Sequence, residues 1–375
     1  MSKILDKILN VKNISKIFAD NKRTGSMLGI DIGSSAIKII QLSEKEGKAV
    51  LENYGELALG PYAGLAVGQA TSLIKEKTKE ALSDIFREAN IEGKHAALSI
   101  PMSSTLLSLV ELPRVDKKQL NSMMPIEARK YIPVPVSEVV LDWWTLPKQE
   151  DKEVTEDSNH DFKNDKIEVL LAAIHNDTIN KYKQIQNSLG LASGLFEIDV
   201  FSSIRSVVGR NNSVVMVLDM GAGTTKLAVV DFGILRMQHI INMGSQDISI
   251  TLSKMLHIEI SEAEEIKREQ GLLSDNGEAI AAMQLPLNHI ITEINRFITN
   301  YKKKNTQPIS KIVLTGGGIL LKGLPEFARK NIDVNIEVGD PFSRIETLIF
   351  LQDTLKEAGP EFSVAIGLAI KALQE

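Results

Sequence analysis

The chain has 375 residues, 43% of them hydrophobic and 24% charged, enough to bury one large two-lobed unit or roughly two or three domains. Its net charge of -5 argues against nucleic-acid binding, and without cysteine it has no disulfide framework, thiol nucleophile or thiolate metal site, which fits a cytoplasmic protein. No run reaches the roughly 18 apolar residues that span a bilayer, and the six histidines are scattered without the H-x-x-x-H pair of a zinc site.

Residues 1–26 place Ile4, Leu5, Ile8, Leu9, Ile14, Ile17 and Phe18 at near-helical spacing with lysines between them. A basic amphipathic pattern of this kind suits weak membrane-surface contact through residues 1–18, or docking on the protein itself or on a partner. Met27 to Leu42 then reads as an apolar strand, a small polar turn and a second apolar strand, with Asp31, Gly33, Ser34, Ser35 and Lys38 around the turn. Val50 to Leu59 continues as a strand, Ala70 to Ala89 as an amphipathic helix, and His95 to Pro101 and Thr105 to Pro113 as two more strands. The segment Glu127 to Pro133 leaves its helix where Pro133 and Pro135 disfavour α geometry. Lys148 to Lys166 reads as an exposed charged loop, Ile167 to Ile174 as a strand, and Asp177 to Leu189 as a helix ending at Gly190.

Val214 to Phe232 repeats the first hairpin. Asp31, Gly33 and Lys38 match Asp219, Gly221 and Lys226 in the form D-x-G-x-x-x-x-K, with Ala222, Gly223, Thr224 and Thr225 completing the second turn. Glycines allow close backbone approach, and successive N–H groups in such turns form anion-cradling nests. An aspartate at the end of a buried strand needs a cation or a hydrogen-bond partner. Together the two turns suggest similar halves facing one nucleotide, each giving backbone amides to phosphates and one carboxylate to a hydrated magnesium ion. Lys226, in an extended strand, could equally point away from such a cleft. Farther on, Glu264 and Lys267 lie three apart on one helical face, Leu285 to Tyr301 reads as a helix, and Lys311 to Phe327 is a strand followed by Gly316, Gly317 and Gly318 and a helix start.

These motifs resemble, in order, the phosphate-1, phosphate-2 and adenosine loops of the actin, Hsp70 and sugar-kinase superfamily. The phrase E-A-R-K-Y-I-P at Glu127 to Pro133, after a strand ending in Leu112–Pro113, resembles the 1C subdomain shared by FtsA and PilM proteins, and IPVPVSEVVLDW resembles the PilM family of type IV pilus assembly proteins. The resemblance runs from Leu28 to the C-terminus. It implies an α/β, two-lobed actin-like (ribonuclease H-like) ATPase fold: domain I over 27–200 with a 1C-type subdomain at about 102–190, and domain II over 201–375 with a 2B-type subdomain at about 243–305.

The same resemblance implies ATP with Mg2+ between the lobes. Gly33, Ser34, Ser35, Lys38, Gly221, Ala222, Gly223, Thr224 and Thr225 would cradle phosphates. Asp31 and Asp219 would hold the metal through water, and Glu264, Lys267 and Gly316 to Gly318 would take the adenosine. Leu195 to Val208 falls where the superfamily has its first connecting helix, so Glu197 or Asp199 would orient an attacking water; a helix N-cap is the plainer role for either. Nothing identifies a committed catalytic base, so binding with slow or absent hydrolysis fits these motifs. The implied partner is a PilN-like inner-membrane protein, docking its cytoplasmic N-terminal peptide between subdomains 1A and 1C, which places the chain at the inner face of the cytoplasmic membrane. An FtsA-like division filament protein is the alternative. FtsA proteins carry a longer C-terminal tail with an amphipathic helix, whereas this chain stops shortly after the second connecting motif, Phe362 to Ala369.

Overall fold

A computed structural model describes residues 25–146, 166–209 and 213–374. The basic amphipathic stretch and nearly all of the charged loop expected at 148–166 lie outside the described residues.

Two five-stranded sheets share one topology. In the first, β1 (Met27–Ile32), β2 (Ala36–Lys45), β3 (Lys48–Ala58), β4 (His95–Ile100) and β8 (Ala192–Ile198) run in the order β3-β2-β1-β4-β8. In the second, β9 (Val215–Met220), β10 (Thr225–Asp231), β11 (Ile234–Ile241), β12 (Lys311–Thr315) and β13 (Asn335–Val338) run β11-β10-β9-β12-β13. Each begins with an antiparallel hairpin, and parallel strands extend it from the hairpin's first strand. The first strands β1 and β9 are covered on both faces, which is why their sequences are apolar runs rather than alternations.

A third, antiparallel sheet of β5 (Thr105–Pro113), β7 (Lys166–His175) and β6 (Val139–Thr145) projects from the first lobe. The helix α2 (Lys117–Glu127) covers one of its faces, burying Leu120 and Met124 against Val110, Leu112, Val169 and Leu171. Asp116 caps α2, its carboxylate accepting from Lys118 N at 2.8 Å and Gln119 N at 2.9 Å. The helix gives way to a 3-10 turn over Ala128–Lys130, ahead of the prolines as the sequence predicts.

The lobes are joined by α4 (Asp199–Val207) and α10 (Ser363–Gln374). A Cβ on Gly367 would stand 2.0 Å from the Ser202 carbonyl oxygen, and one on Gly29 would stand 1.9 Å from that of Ala365, so bare backbone is what lets α10 press on both α4 and β1. Although it closes the chain after the second lobe, α10 packs on the first sheet, with Ala365, Ile366 and Ala369 against Ile40 and Leu42. The division of the chain at residue 200 therefore does not describe the packing of its last helix. Val200, Phe201 and Ile204 of α4 make one continuous core from Leu28 and Ile30 in the first sheet to Val217, Ala228 and Val230 in the second.

Three helices depart from expectation. The one expected from Ala70 is α1 (Lys75–Glu88), and residues 70–74 precede it as non-helical chain. Leu195 to Ile198 belong to β8, so the connecting helix starts only at Asp199. The helix expected at Leu285 is α7 (Gly277–Lys304), which starts earlier because Asn276 caps it and Ala279, Ala282 and Met283 extend its buried face, leaving Pro286 in the interior. Pro286 is the kind of residue that ordinarily marks a helix start. No helix among the described residues is long and apolar enough to cross a membrane.

Gly367→Ala should cost about 1–3 kcal/mol or more of stability in urea unfolding, because the backbone it would meet cannot step aside. Gly277→Ala, with nothing within 4 Å of the added carbon, should be neutral or stabilising by up to about 1 kcal/mol in the same assay.

Candidate functional site: the inter-lobe cleft

A cavity of about 620 Å³ lies between the lobes, lined by both hairpin turns and by Gly316, Gly317 and Gly318. Each turn closes in the same way: Gly33 N donates to Ala36 O at 3.0 Å and Gly221 N to Thr224 O at 2.9 Å. Among the described residues, the N–H groups of Ser34, Ala222 and Gly223 have no backbone partner. The turns face each other, since a Cβ on Gly223 would lie 3.7 Å from Ser34 Oγ. Ser35 and Thr224 also line the cavity. Thr225 does not cradle anything: its buried hydroxyl donates to Met243 O at 2.9 Å and fastens the hairpin to the loop before α5 (Ser245–Leu256).

The strand registers put Asp31 opposite Lys38 and Asp219 opposite Lys226. Residues directly opposite in an antiparallel pair share a face, and Lys226 accordingly points into the cleft. Its Nζ lies 2.8 Å from Asp199 Oδ2 and 3.2 Å from Asp219 Oδ2. Burial alone would lower the Lys226 ammonium, but Asp199, Asp219 and Asp31 outweigh it and hold its pKa well above the usual lysine range. Burial pushes the carboxyls of Asp31 and Asp199 up; a Ser99 hydrogen bond at 2.7 Å opposes this at Asp31, and Lys226 opposes it at Asp199. Lys38 lines the cleft too, but its ammonium is directed at Glu56 at 3.0 Å and Glu361 at 3.8 Å. Burial lifts Glu361 to about 7.

The two acidic candidates of the connecting segment separate. Asp199 lines the cleft, with Oδ1 accepting from Met102 N at 3.1 Å. Glu197 is absent from the cavity wall and cannot orient a water there. Its carboxylate is gripped by Arg205 at 2.6 and 2.7 Å, by Lys371 at 3.1 Å and by the Ser202 hydroxyl, so it ties α4 to α10. Although burial opposes ionisation, Arg205 and Lys371 bring its pKa down to about 2.

At the other end of the cleft, α6 (Ile260–Glu269) supplies Glu264 and Lys267, paired at 2.6 Å. Glu264 also accepts from Ser249 Oγ at 2.6 Å and Arg268 Nε at 2.7 Å. Burial lowers Lys267. Residues 64–74, of which the sequence reading put the last five in a helix, instead cross from the first lobe to this corner. A Cβ on Gly68 would lie 2.3 Å from Glu264 Oε1, and Ala70 N donates to Gln246 Oε1 at 3.0 Å.

Glu197 gives a signed pH test. Its folded pKa lies below the ordinary carboxylate value, so its contribution is present above about pH 4.5 and is lost as pH falls towards 2. Glu197→Gln should lose about 3 kcal/mol at pH 7 in urea unfolding, with the deficit shrinking over that window.

The family model of type IV pilus assembly protein PilM matches residues 29–373. Cell division protein FtsA of Neisseria meningitidis serogroup B is 24% identical over 373 residues, covering 90% of this chain and 88% of its own length. FtsA of Agrobacterium fabrum is 29% identical over 178 residues, 41% of this chain and 39% of its own. Among solved structures, a PilM–PilN type IV pilus biogenesis complex superposes with a TM-score of 0.78 at 21% identity, covering 94% of this chain and 100% of the other. Ethanolamine utilization protein EutJ from Carboxydothermus hydrogenoformans gives 0.52 at 15% identity, covering 98% of each chain. The two structural likenesses show the fold, a two-lobed actin-like α/β architecture. With its family model matched over nearly the whole length, the chain belongs to the PilM family of type IV pilus assembly proteins.

Proposed function

We propose that the protein is a nucleotide-responsive scaffold of the type IV pilus assembly platform, binding ATP with Mg2+ between its lobes. The observation that carries this reading is the pair of matched turns facing each other beside three aspartates that outnumber the one lysine among them. Free N–H groups at Ser34, Ala222 and Gly223 suit phosphate oxygens. Asp31, Asp199 and Asp219 against Lys226 leave surplus negative charge, which fits a hydrated divalent cation arriving with the phosphates; magnesium keeps its waters and needs few protein ligands. The ion would screen the triphosphate from the aspartates. Gly316 to Gly318 offer a flat backbone to the adenosine, with Glu264 and Lys267 at its edge.

Asp199 has one oxygen on Lys226 and the other on the Met102 amide, so it is poorly placed to take a proton. That favours a binding switch with slow or absent turnover. The partner in this reading is a PilN-like inner-membrane protein whose cytoplasmic N-terminal peptide docks beside the third sheet, holding the scaffold at the inner face of the membrane. The solved relative in complex with PilN supports it. Nucleotide biases docking by setting lobe closure, which requires different peptide affinities in the two states.

Mg-ATP at about a hundred times Kd should stabilise the fold by roughly 2.7 kcal/mol, a rise of a few degrees in Tm. The rise should vanish in the Asp219→Ala, Gly221→Val double variant. The same Tm with and without Mg-ATP in nucleotide-free wild type would refute the nucleotide site. Equal peptide affinity with ATP, ADP and no nucleotide would refute the switch.

A further inference from the structure

Between β3 and α1 the chain makes a detour across the cleft. Tyr62 and Leu73 pack on the core of the first lobe, and the Tyr62 hydroxyl donates to Asp84 Oδ2 on α1 at 2.7 Å. Between these two fixed points the chain leaves that core, and Gly68, Thr71 and Ser72 become part of the cavity wall. Three contacts hold this strap. Thr71 N donates to Ser34 O in the first turn at 2.8 Å, which ties it to the lobe it comes from. The other two reach the second lobe: Ala70 N donates to Gln246 Oε1 on α5 at 3.0 Å, and the bare backbone of Gly68 lies against the Glu264 carboxylate of α6. Ala70 also lies over the second turn, its Cβ 3.5 Å from where a Cβ on Gly223 would stand.

The strap has the construction of a part that lifts as a unit. Residues 64–74 form neither helix nor strand. Leu65, Val67 and Ile74 are 40%, 44% and 68% exposed, so burial of these side chains does little to hold it down. Segments with few buried apolar contacts open at low cost in free energy, and lids are drawn from them. Gly64 and Gly68 stand at φ +70° and +85°, a left-handed backbone that favours glycine and suits a hinge. Between them and Ala70 the strap keeps its own turn, with Ala66 N donating to Gln69 Oε1 at 2.9 Å, a contact that does not involve the second lobe.

We propose that residues 64–74 are a latch across the cleft, held shut by Gln246 and Glu264 of the second lobe, whose release sets the rate at which the cleft exchanges its ligand. With Ala70 and Gly68 engaged, the strap joins the lobes both at the second turn and at the α6 corner, and a ligand between them is enclosed. When those two contacts break, the strap stays with the first lobe, to which Tyr62, Thr71 and Leu73 fasten it. Gln246 is not part of the cavity wall, so it acts on the barrier to entry and exit and not on a bound ligand's own contacts. That the exchanged ligand is a nucleotide rests on the proposed function; the latch itself does not.

The test combines hydrogen–deuterium exchange of the empty protein with stopped-flow kinetics of methylanthraniloyl-labelled ADP and Mg2+. In Gln246→Ala, amides of residues 64–74 should exchange about 5-fold faster than in wild type, the effect of one lost hydrogen bond, while β1 and β9 remain as protected as before. Gln246→Glu, which keeps an acceptor for Ala70 N, should exchange as slowly as wild type. Association and dissociation of labelled ADP should both quicken in Gln246→Ala by a similar factor, leaving Kd nearly unchanged. Equal exchange of residues 64–74 in wild type and Gln246→Ala would overturn the latch. Equal labelled-ADP rates would overturn its control of exchange, and so would faster dissociation with unchanged association, which is the signature of a lost ligand contact. If labelled ADP does not bind wild type, the nucleotide reading fails and hydrogen exchange alone decides the latch.

Discussion

The two lobes meet around one half-buried lysine. Lys226 rises from β10 of the second lobe, pairs with Asp219 on the adjacent strand, and reaches Asp199 at the first turn of the helix that leaves the first lobe. Asp31, at the end of β1, feels the same charge. Burying ions is expensive unless they are paired in good geometry. The ends of β1, β9, β10 and α4 are therefore held in one relative placement, because any drift would leave a carboxylate or the ammonium unpaired in a low-dielectric cleft. One lysine does not neutralise three aspartates, an imbalance that a cation arriving with the proposed nucleotide would offset.

The rest of the architecture supports this point from two sides. Behind it, Glu197 with Arg205 and Lys371 clamps α4 to α10, and the close approach at Gly367 lets those helices cross with little room between them. Beside it, the strands that follow the Gly221 turn run on to the third sheet: Arg236 on β11 meets Glu168 on β7 at 2.6 Å, and Gln238 donates to the Leu107 carbonyl at 3.1 Å. In the proposed function, a shift of that turn on binding a phosphate has β10 and β11 as its path to the small subdomain. This is a contiguous physical connection between cleft and subdomain, of the kind that energetic coupling needs.

The sequence made the hairpins legible because D-x-G-x-x-x-x-K occurs twice and an antiparallel turn fixes which residues face each other. The same register places Lys226 in the cleft, a consequence that the cross-strand rule makes readable from the spacing alone. Glu197 and Asp199 were harder to separate. They flank the junction from β8 to α4, where the period changes from two to 3.6, so two acids two residues apart end on different sides of the backbone. Thr225 was misread for a related reason: its hydroxyl and the Lys226 ammonium lie on opposite faces of one strand. The crossing of residues 64–74 to α6 depends on contacts between distant parts of the chain that carry no local period.

The most direct test of the carboxylate surplus is calorimetric titration of ATP into nucleotide-free protein, once with Mg2+ and once with EDTA. If the aspartates around Lys226 admit a triphosphate only when a divalent cation accompanies it, affinity should fall at least about 10-fold in EDTA, on the scale of one charge-assisted contact. Equal affinity in the two buffers would mean that Lys226 and the turn amides suffice, and would contradict the account of the cleft as a cation site.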